Sequence, residues 1–271
     1  MTGHKRALAA LSLTLCAGAA FAAGPVPGPA LPKGETARVT QVIDGDTLVL
    51  AGGLTVRLAE IDAPRREDPL GAQAQATLSN LALGKTVSLR YGGLRRDSRG
   101  RALAQVVVEG GPAGQTWLQR EMLARGLARV HTWPDNRAEV PALFAAERAA
   151  RAARSGVWAQ RAYAVNVSDP AALRGKEKSF QLVEGTVTQV ADRRGRIYVN
   201  FGRDYKTDFT IVVERENLRN WPGGAADITA LQGRQIRIRG WLKDWNGPMI
   251  EATHPQQIEF LRPAATPVRR S

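Results

Sequence analysis

Several kinds of chemistry are scarce or missing in this sequence, and each gap excludes something. Its 271 residues include one cysteine, Cys16, which falls in the amino-terminal apolar stretch, so the remainder supports neither a disulfide framework nor thiol catalysis. The three histidines, His4, His131 and His254, are too scattered to assemble a zinc cluster or a serine triad. Acidic residues are outnumbered, 25 against 38 lysines and arginines, which leaves a formal charge of +13. Such a field concentrates polyanions and suits nucleic acid better than a small neutral substrate. Charge by itself is equally compatible with an anionic lipid surface or a solvated basic exterior. With 44% hydrophobic and 23% charged residues, the chain has globular composition and room for two ordinary domains.

A long hydrophobic run is also absent. The apolar stretch Ala7 to Leu15 is too short for a comfortable membrane span. It follows His4-Lys5-Arg6 and precedes Ala20-Phe21-Ala22, the layout of a secretory signal. Residues 1–22 are therefore expected to be removed, which lowers the formal charge to +11 because Lys5 and Arg6 go with no acid. A lipid anchor at Cys16 is disfavoured by the large Leu15 before it. The expectation is an exported protein, periplasmic or extracellular, with no stable membrane association after cleavage. Residues 23–36, rich in proline and glycine, read as a flexible leader.

What is present centres on Asp44-Gly45-Asp46-Thr47, set between Val39 to Ile43 and Leu48 to Leu50. An Asp-Gly pair flanked by strand residues predicts a hairpin in which glycine supplies a positive φ, holding Asp46 at a strand end. A second strand-like run, Thr55 to Ile61, carries Arg57 and leads into Asp62-Ala63-Pro64. An arginine-rich turn, Arg95 to Arg101, opens onto Ala102 to Val108. Carboxylate oxygens from Asp46 and Asp62 suit a hard cation such as Ca²⁺. The guanidinium forks of Arg57 and Arg101 suit a phosphate that gains charge as it is attacked. Together these residues predict a phosphodiester-cleaving site.

Further strands are predicted at Ala37 to Val42, Thr47 to Leu50 and Thr86 to Tyr91, and helices at Ala72 to Leu83, Gln115 to Arg125 and Val140 to Arg154. Residues 159–180 are polar and irregular and read as a linker. Strands recur at Glu184 to Val190, Arg196 to Phe201, Asp208 to Val213 and Gln235 to Trp241, with Val187-Thr188-Gln189-Val190 repeating Val39-Thr40-Gln41-Val42. Strict alternation puts Gln235, Arg237, Arg239 and Trp241 on one face, basic groups beside an aromatic plate as single-stranded nucleic-acid surfaces use. The alternative is a bend at Gly240 that returns Trp241 to the core.

Five motifs in order, Val42 to Thr47, Val56-Arg57-Leu58 to Ile61-Asp62-Ala63-Pro64, Asp97 to Arg101, Gly126 to Val130 and Gly156-Val157-Trp158, resemble the staphylococcal (micrococcal) nuclease or thermonuclease-like family. The resemblance covers Val39 to Trp158. It implies an α+β fold, a five-stranded Greek-key barrel of the oligonucleotide-binding type with three packed helices, followed by a second, smaller OB-like barrel. The implied segments are 1–22 signal, 23–36 leader, 37–158 thermonuclease-like domain, 159–180 linker, 181–262 second barrel and 263–271 disordered tail. The carboxy-terminal part resembles the extension of some proteobacterial homologues.

By position, the family likeness makes Asp46, Asp62 and the Ala63 carbonyl ligands of Ca²⁺ and makes Arg57 and Arg101 phosphate clamps; Arg99 and Trp133 join them as expected nucleic-acid contacts, and the alternation above adds Arg237, Arg239 and Trp241. It implies a calcium-dependent endonuclease that hydrolyses DNA and RNA with low sequence specificity. One position departs from the pattern. The family has a glutamate after Ala63-Pro64, whereas Arg65 stands here and cannot accept a proton. Glu67, two residues on, is the substitute base, or else a surface partner of Arg65 or Arg66. A homologue that binds nucleic acid without cutting it is the competing expectation.

Overall fold

The computed structural model describes residues 28–111, 114–204 and 206–261. The expected signal, the first part of the leader and the tail from 263 lie outside the described residues. No helix among the described residues is long and apolar enough to cross a membrane.

The amino-terminal half runs β1 (Lys33–Val42), β2 (Thr47–Leu50), β3 (Thr55–Leu58), β4 (Ile61–Asp62), α1 (Gly71–Ala82), β5 (Thr86–Arg90), β6 (Ala102–Gly111), β7 (Gly114–Trp117), α2 (Leu118–Ala124), β8 (Arg129–Val130) and α3 (Val140–Ala152). Its main sheet has the order β3-β2-β1-β5-β6-β7, and β3 also pairs in parallel with β6, joining the path into a circuit. Alternation drives this arrangement: Val39, Leu48, Leu50, Val56, Leu58, Val87, Leu89 and Val106 point into one core, covered by Leu78 of α1, Met122 of α2 and Leu143 of α3.

Two local expectations need correction. Lys33 to Thr36 belong to β1, paired with β5, because Glu35 accepts hydrogen bonds from the Tyr91 hydroxyl (2.6 Å) and Arg96 (2.7 Å) and ties this end of the chain down. Gly114 to Trp117 form a strand before α2, since Thr116 and Trp117 continue the ladder on Val108 and Val107.

Gly45 is also used differently from the expectation. It does not adopt a positive φ. The turn instead closes through Thr47, whose carbonyl accepts from the Ile43 amide at 2.9 Å, and a Cβ on Gly45 would lie 2.7 Å from those of Ala63 and Ala74. Close approach, not backbone handedness, requires glycine here. Gly45→Ala should therefore cost about 1–3 kcal/mol through overpacking, seen as a lower unfolding midpoint. An unchanged midpoint would refute the contact argument.

The carboxy-terminal half contains β9 (Asn166–Val167), α4 (Pro170–Leu173), β10 (Phe180–Thr186), β11 (Gln189–Arg193), β12 (Arg196–Asn200), β13 (Thr210–Glu214), a 3₁₀ segment Arg215–Asn220, α5 (Ala225–Thr229), β14 (Gln235–Asp244), β15 (Pro248–Glu251) and β16 (Ile258–Phe260). Its strands follow the order β11-β12-β13-β15-β14-β10-β9, with β16 also on β14, around a core including Val183, Val199, Phe209, Ile211, Ile236 and Ile250.

The expected linker is structured. β9 pairs with β10, and the Asn166 amide donates to Gln181 Oε1 (2.9 Å) and the Leu182 carbonyl (3.2 Å), so its polar residues serve as ladder and bridge groups. A third apolar cluster joins the two halves: Ala150, Val157 and Trp158 pack with Phe180 and Leu182.

Candidate active site

The β1–β2 turn delivers Asp46 into a buried position, 6% exposed. Its Oδ2 accepts from the Ala63 amide (2.9 Å) and lies 2.8 Å from Arg57 Nη1, while Oδ1 accepts from the Thr47 hydroxyl (3.0 Å). Asp44 accepts from the Asp46 amide at 3.0 Å, fixing the turn. Arg57 reaches across from β3, and its Nη2 lies 3.6 Å from Asp62 Oδ1. The guanidinium thus bridges the two carboxylates that the sequence singled out. Ala63 joins the cluster through its amide.

Burial is the main cause that pushes the Asp46 carboxyl up to about 7, with Asp44 and Asp62 adding to the rise, while Arg57 and the Ala63 amide oppose it. A cation would relieve this concentration of negative charge. The donor set fits a hard ion that takes carboxylate, carbonyl and water oxygens. Among the described residues no group of three or more His, Cys, Asp or Glu side chains forms a metal cluster. An ion here would therefore rest on Asp46 and Asp62 with backbone and water oxygens.

The raised value has a stability consequence with a definite sign. A carboxyl whose folded pKa exceeds its unfolded value stabilises the fold most at acid pH, and that contribution is lost as pH rises from about 4 to about 7. With chelator present, Asp46→Asn should therefore gain in unfolding midpoint relative to wild type between pH 5 and pH 8. A difference independent of pH would contradict the assignment.

Arg101 stands at the start of β6, which pairs in parallel with β3 as Val56↔Ala102. Asp97 holds its Nε at 2.7 Å and its amide at 2.9 Å. Burial pushes the Asp97 carboxyl up, but hydrogen bonds from the Arg101 side chain and the Arg101 and Arg99 amides outweigh it and lower its pKa. Among the described residues no hydrogen bond engages the Nη nitrogens of Arg101, which leaves its fork available. Arg99 is exposed in the same turn. Arg95 and Arg96 are structural: Arg95 lies over the Tyr91 ring at 4.2 Å and Arg96 binds Glu35.

The structure adds Arg129, which sequence reasoning quoted in a motif without giving it a role. β8 pairs with β4 as Asp62↔Arg129, putting Arg129 Nη2 3.6 Å from Asp62 Oδ2. Its Nη1 donates to the Phe180 carbonyl at 2.9 Å, and the guanidinium lies 4.9 Å from both the Tyr163 and Phe180 rings. The only advance signal was an arginine in an apolar stretch, Leu127 to Val130.

Glu67 is exposed in the turn after Pro64, and no hydrogen bond or ion pair among the described residues joins it to Asp46, Asp62 or Arg57. Arg65 is likewise exposed, with its amide bound to Asp68 at 2.9 Å. Glu60 is buried, and burial pushes it up to about 7, but its neighbours are Gln105, Ala138 and Glu139 rather than the Asp46 cluster.

Past Arg129 the chain reaches His131, whose ring stacks 4.7 Å from Trp133 and 4.6 Å from Phe180. Phe180 in turn meets Trp241 edge-on at 6.3 Å. These aromatics line a cavity of about 170 Å³ between the two halves, with Trp133 49% and Trp241 40% exposed. β14 continues through Gly240, where a Cβ would strike Ile250 at 2.6 Å, so Trp241 keeps its place in the alternation and does not return to the core.

Arg237 and Arg239 share that face but cannot offer a nucleic-acid surface. Arg239 is 1% exposed and lies between Glu147 (2.9 Å) and Glu259 (2.6 Å), donating also to the Val130 carbonyl (2.8 Å). Arg237 is held by Glu184 at 2.7 Å and Glu259 at 3.3 Å. The period-two reading of the face was right, but acids of α3, β10 and β16 take up both of its arginines.

The chain is similar to known proteins. Residues 55–160 match the model of the staphylococcal nuclease homologue family. An uncharacterized endonuclease of Haemophilus influenzae is 33% identical over 148 residues, covering 53% of this chain and 75% of that protein. An uncharacterized endonuclease of Escherichia coli is 32% identical over 124 residues, 45% of this chain and 75% of the relative. The micrococcal nuclease of Shigella flexneri is 31% identical over 125 residues, 44% and 71% respectively. Covering about three quarters of such relatives, the chain belongs to the staphylococcal nuclease homologue family, with its OB-type α+β fold.

Proposed function

We propose that this protein is an exported, calcium-dependent endonuclease that hydrolyses phosphodiester bonds of DNA and RNA with low sequence preference. The observation that carries the reading is the Arg57 guanidinium held between Asp46 and Asp62. The endonuclease names of the relatives support it. In this reading Asp46, Asp62 and the Ala63 carbonyl hold the ion, which when bound supplies Lewis-acid polarisation and a more acidic water. Arg57 and Arg101 grip the scissile phosphate and offset the charge that grows on it. The cavity beside His131 takes a base between Trp133 and Trp241. The strand circuit β3-β2-β1-β5-β6 is read as the five-stranded barrel, and residues 181–262 as a second OB-like unit.

Glu67 is the proton acceptor of this reading. The competing reading is a catalytically impaired homologue that binds nucleic acid, favoured by Arg65 at the family's glutamate position and by the lack of any bond between Glu67 and the cluster. Supercoiled plasmid separates them. The nuclease reading expects nicked product with Ca²⁺ and none with chelator, and a loss of about 10²–10⁴-fold in Glu67→Gln. Nicking unaffected by that substitution removes Glu67 from the mechanism. Retarded plasmid without nicking selects the binder.

A further inference from the structure

A groove of about 720 Å³ lies on the carboxy-terminal half, away from the cluster around Asp46. Its floor is the outward face of β11, β12 and β13. Register places Ala191, Tyr198 and Val212 in one row and Gln189, Asn200 and Thr210 in the next, while Ile197, Val199, Ile211 and Val213 of the same strands point into the core. Tyr198, half-buried, stands between Ala191 and Val212 on this floor. Trp245, 54% exposed, forms one wall with Arg196 stacked 4.9 Å from its ring.

The charge at this groove has one sign. Arg193, Arg194, Arg196 and Arg203 line it and no acid does. Only Arg196 has an acidic partner among the described residues, Glu214 at 2.9 Å from the adjoining strand. The arginine-rich β11–β12 hairpin therefore forms the rim of an aromatic-floored channel.

We propose that this groove binds single-stranded nucleic acid, holding a strand independently of the hydrolytic site. Two aromatic plates, the half-buried Tyr198 and Trp245 with Arg196 over one face of its ring, accept stacked bases of any sequence on their open sides, and unpaired guanidiniums track the phosphates. A duplex hides its base faces and cannot use the plates. The proposal rests on a nucleic-acid substrate but not on cleavage, so binding can be scored in chelator.

Fluorescence anisotropy of the full chain with a labelled oligothymidylate of about 12 nucleotides tests it. Tyr198→Ala with Trp245→Ala should weaken single-strand binding at least about tenfold, with little change for a duplex of equal length. Tyr198→Phe with Trp245→Phe should stay within about threefold, because stacking planes remain. Arg193→Gln with Arg203→Gln should lower the salt dependence for both ligands. Photocrosslinking of the unmodified protein to an iodouracil strand should label Tyr198 or Trp245, and this requires no variant to fold. Binding unchanged in the double alanine variant, an equal loss for duplex or heparin, or crosslinks only at Trp133 and Trp241 would overturn the proposal. Loss of nicking with single-strand binding intact would instead count against the hydrolytic reading alone.

Discussion

Replacing Arg57 by alanine is expected to lower phosphodiester cleavage about 10³-fold or more. The magnitude follows from two jobs performed by one guanidinium. In the resting site it sets the charge balance of Asp46 and Asp62, at 2.8 and 3.6 Å. In the reaction it would meet the negative charge that grows on phosphorus, where one aimed donor is worth about 10²–10³-fold and an arginine in phosphoryl transfer 10³–10⁵-fold. Without Arg57 the Asp46 carboxyl also loses the main influence opposing its burial, so its pKa rises further. Arg57→Lys should recover only part of the activity, because an ammonium replaces the charge but not the two-pronged geometry. The check is kcat/KM on a labelled single strand at saturating Ca²⁺, with the unfolding midpoint measured alongside. A loss under about tenfold in a folded variant would remove Arg57 from the transition state.

The second large effect falls on stability. Arg239→Ala should cost about 3–5 kcal/mol, because it takes from Glu147 and Glu259 the buried guanidinium that lies closest to both, leaving Arg151 at 3.6 Å and Arg237 at 3.3 Å as the nearest counter-charges. Glu147 has no exposed surface, and its Oε1 also accepts from the Val130 amide at 2.8 Å. Arg239 and Glu147 thus grip both backbone groups of Val130, the neighbour of Arg129 that faces Asp62. A site built in the first half is braced by a strand of the second. Urea unfolding checks this: the midpoint of Arg239→Ala should fall markedly. Replacing Arg239, Glu147 and Glu259 together by apolar residues should restore part of the loss, since no acid is then left buried without its closest partner, although Arg151 gives up Glu147. A small loss in the single variant would show that the ion network is dispensable.

These two residues also mark how far the sequence could be read. Arg57 and Asp46 were legible because a motif and its spacing place them on strand ends, and β2, β3, β6 and α3 appear where alternation and helical period put them. The Gly45 turn was located correctly for the wrong reason: an Asp-Gly pair suggests backbone handedness, whereas the Ala63 and Ala74 methyl groups that exclude a side chain are distant in sequence. Arg239 was assigned to the correct face of β14, but alternation says nothing about what meets a face, and its partners come from α3, about ninety positions away, and from β16. The segment 159–180 looked like a linker because its polar side chains satisfy β9 and β10 through contacts that composition cannot display. Arg129 escaped notice because its role depends on the Asp62↔Arg129 pairing and on the Phe180 carbonyl.

A calcium titration of oligonucleotide cleavage, comparing wild type with Asp62→Asn at pH 8, tests the central claim most directly. The account predicts saturable activation in the wild type, no cleavage in chelator, and a calcium midpoint raised at least about tenfold when one of two carboxylate ligands is lost. Full-rate cleavage in chelator, or identical midpoints for the two proteins, would contradict it.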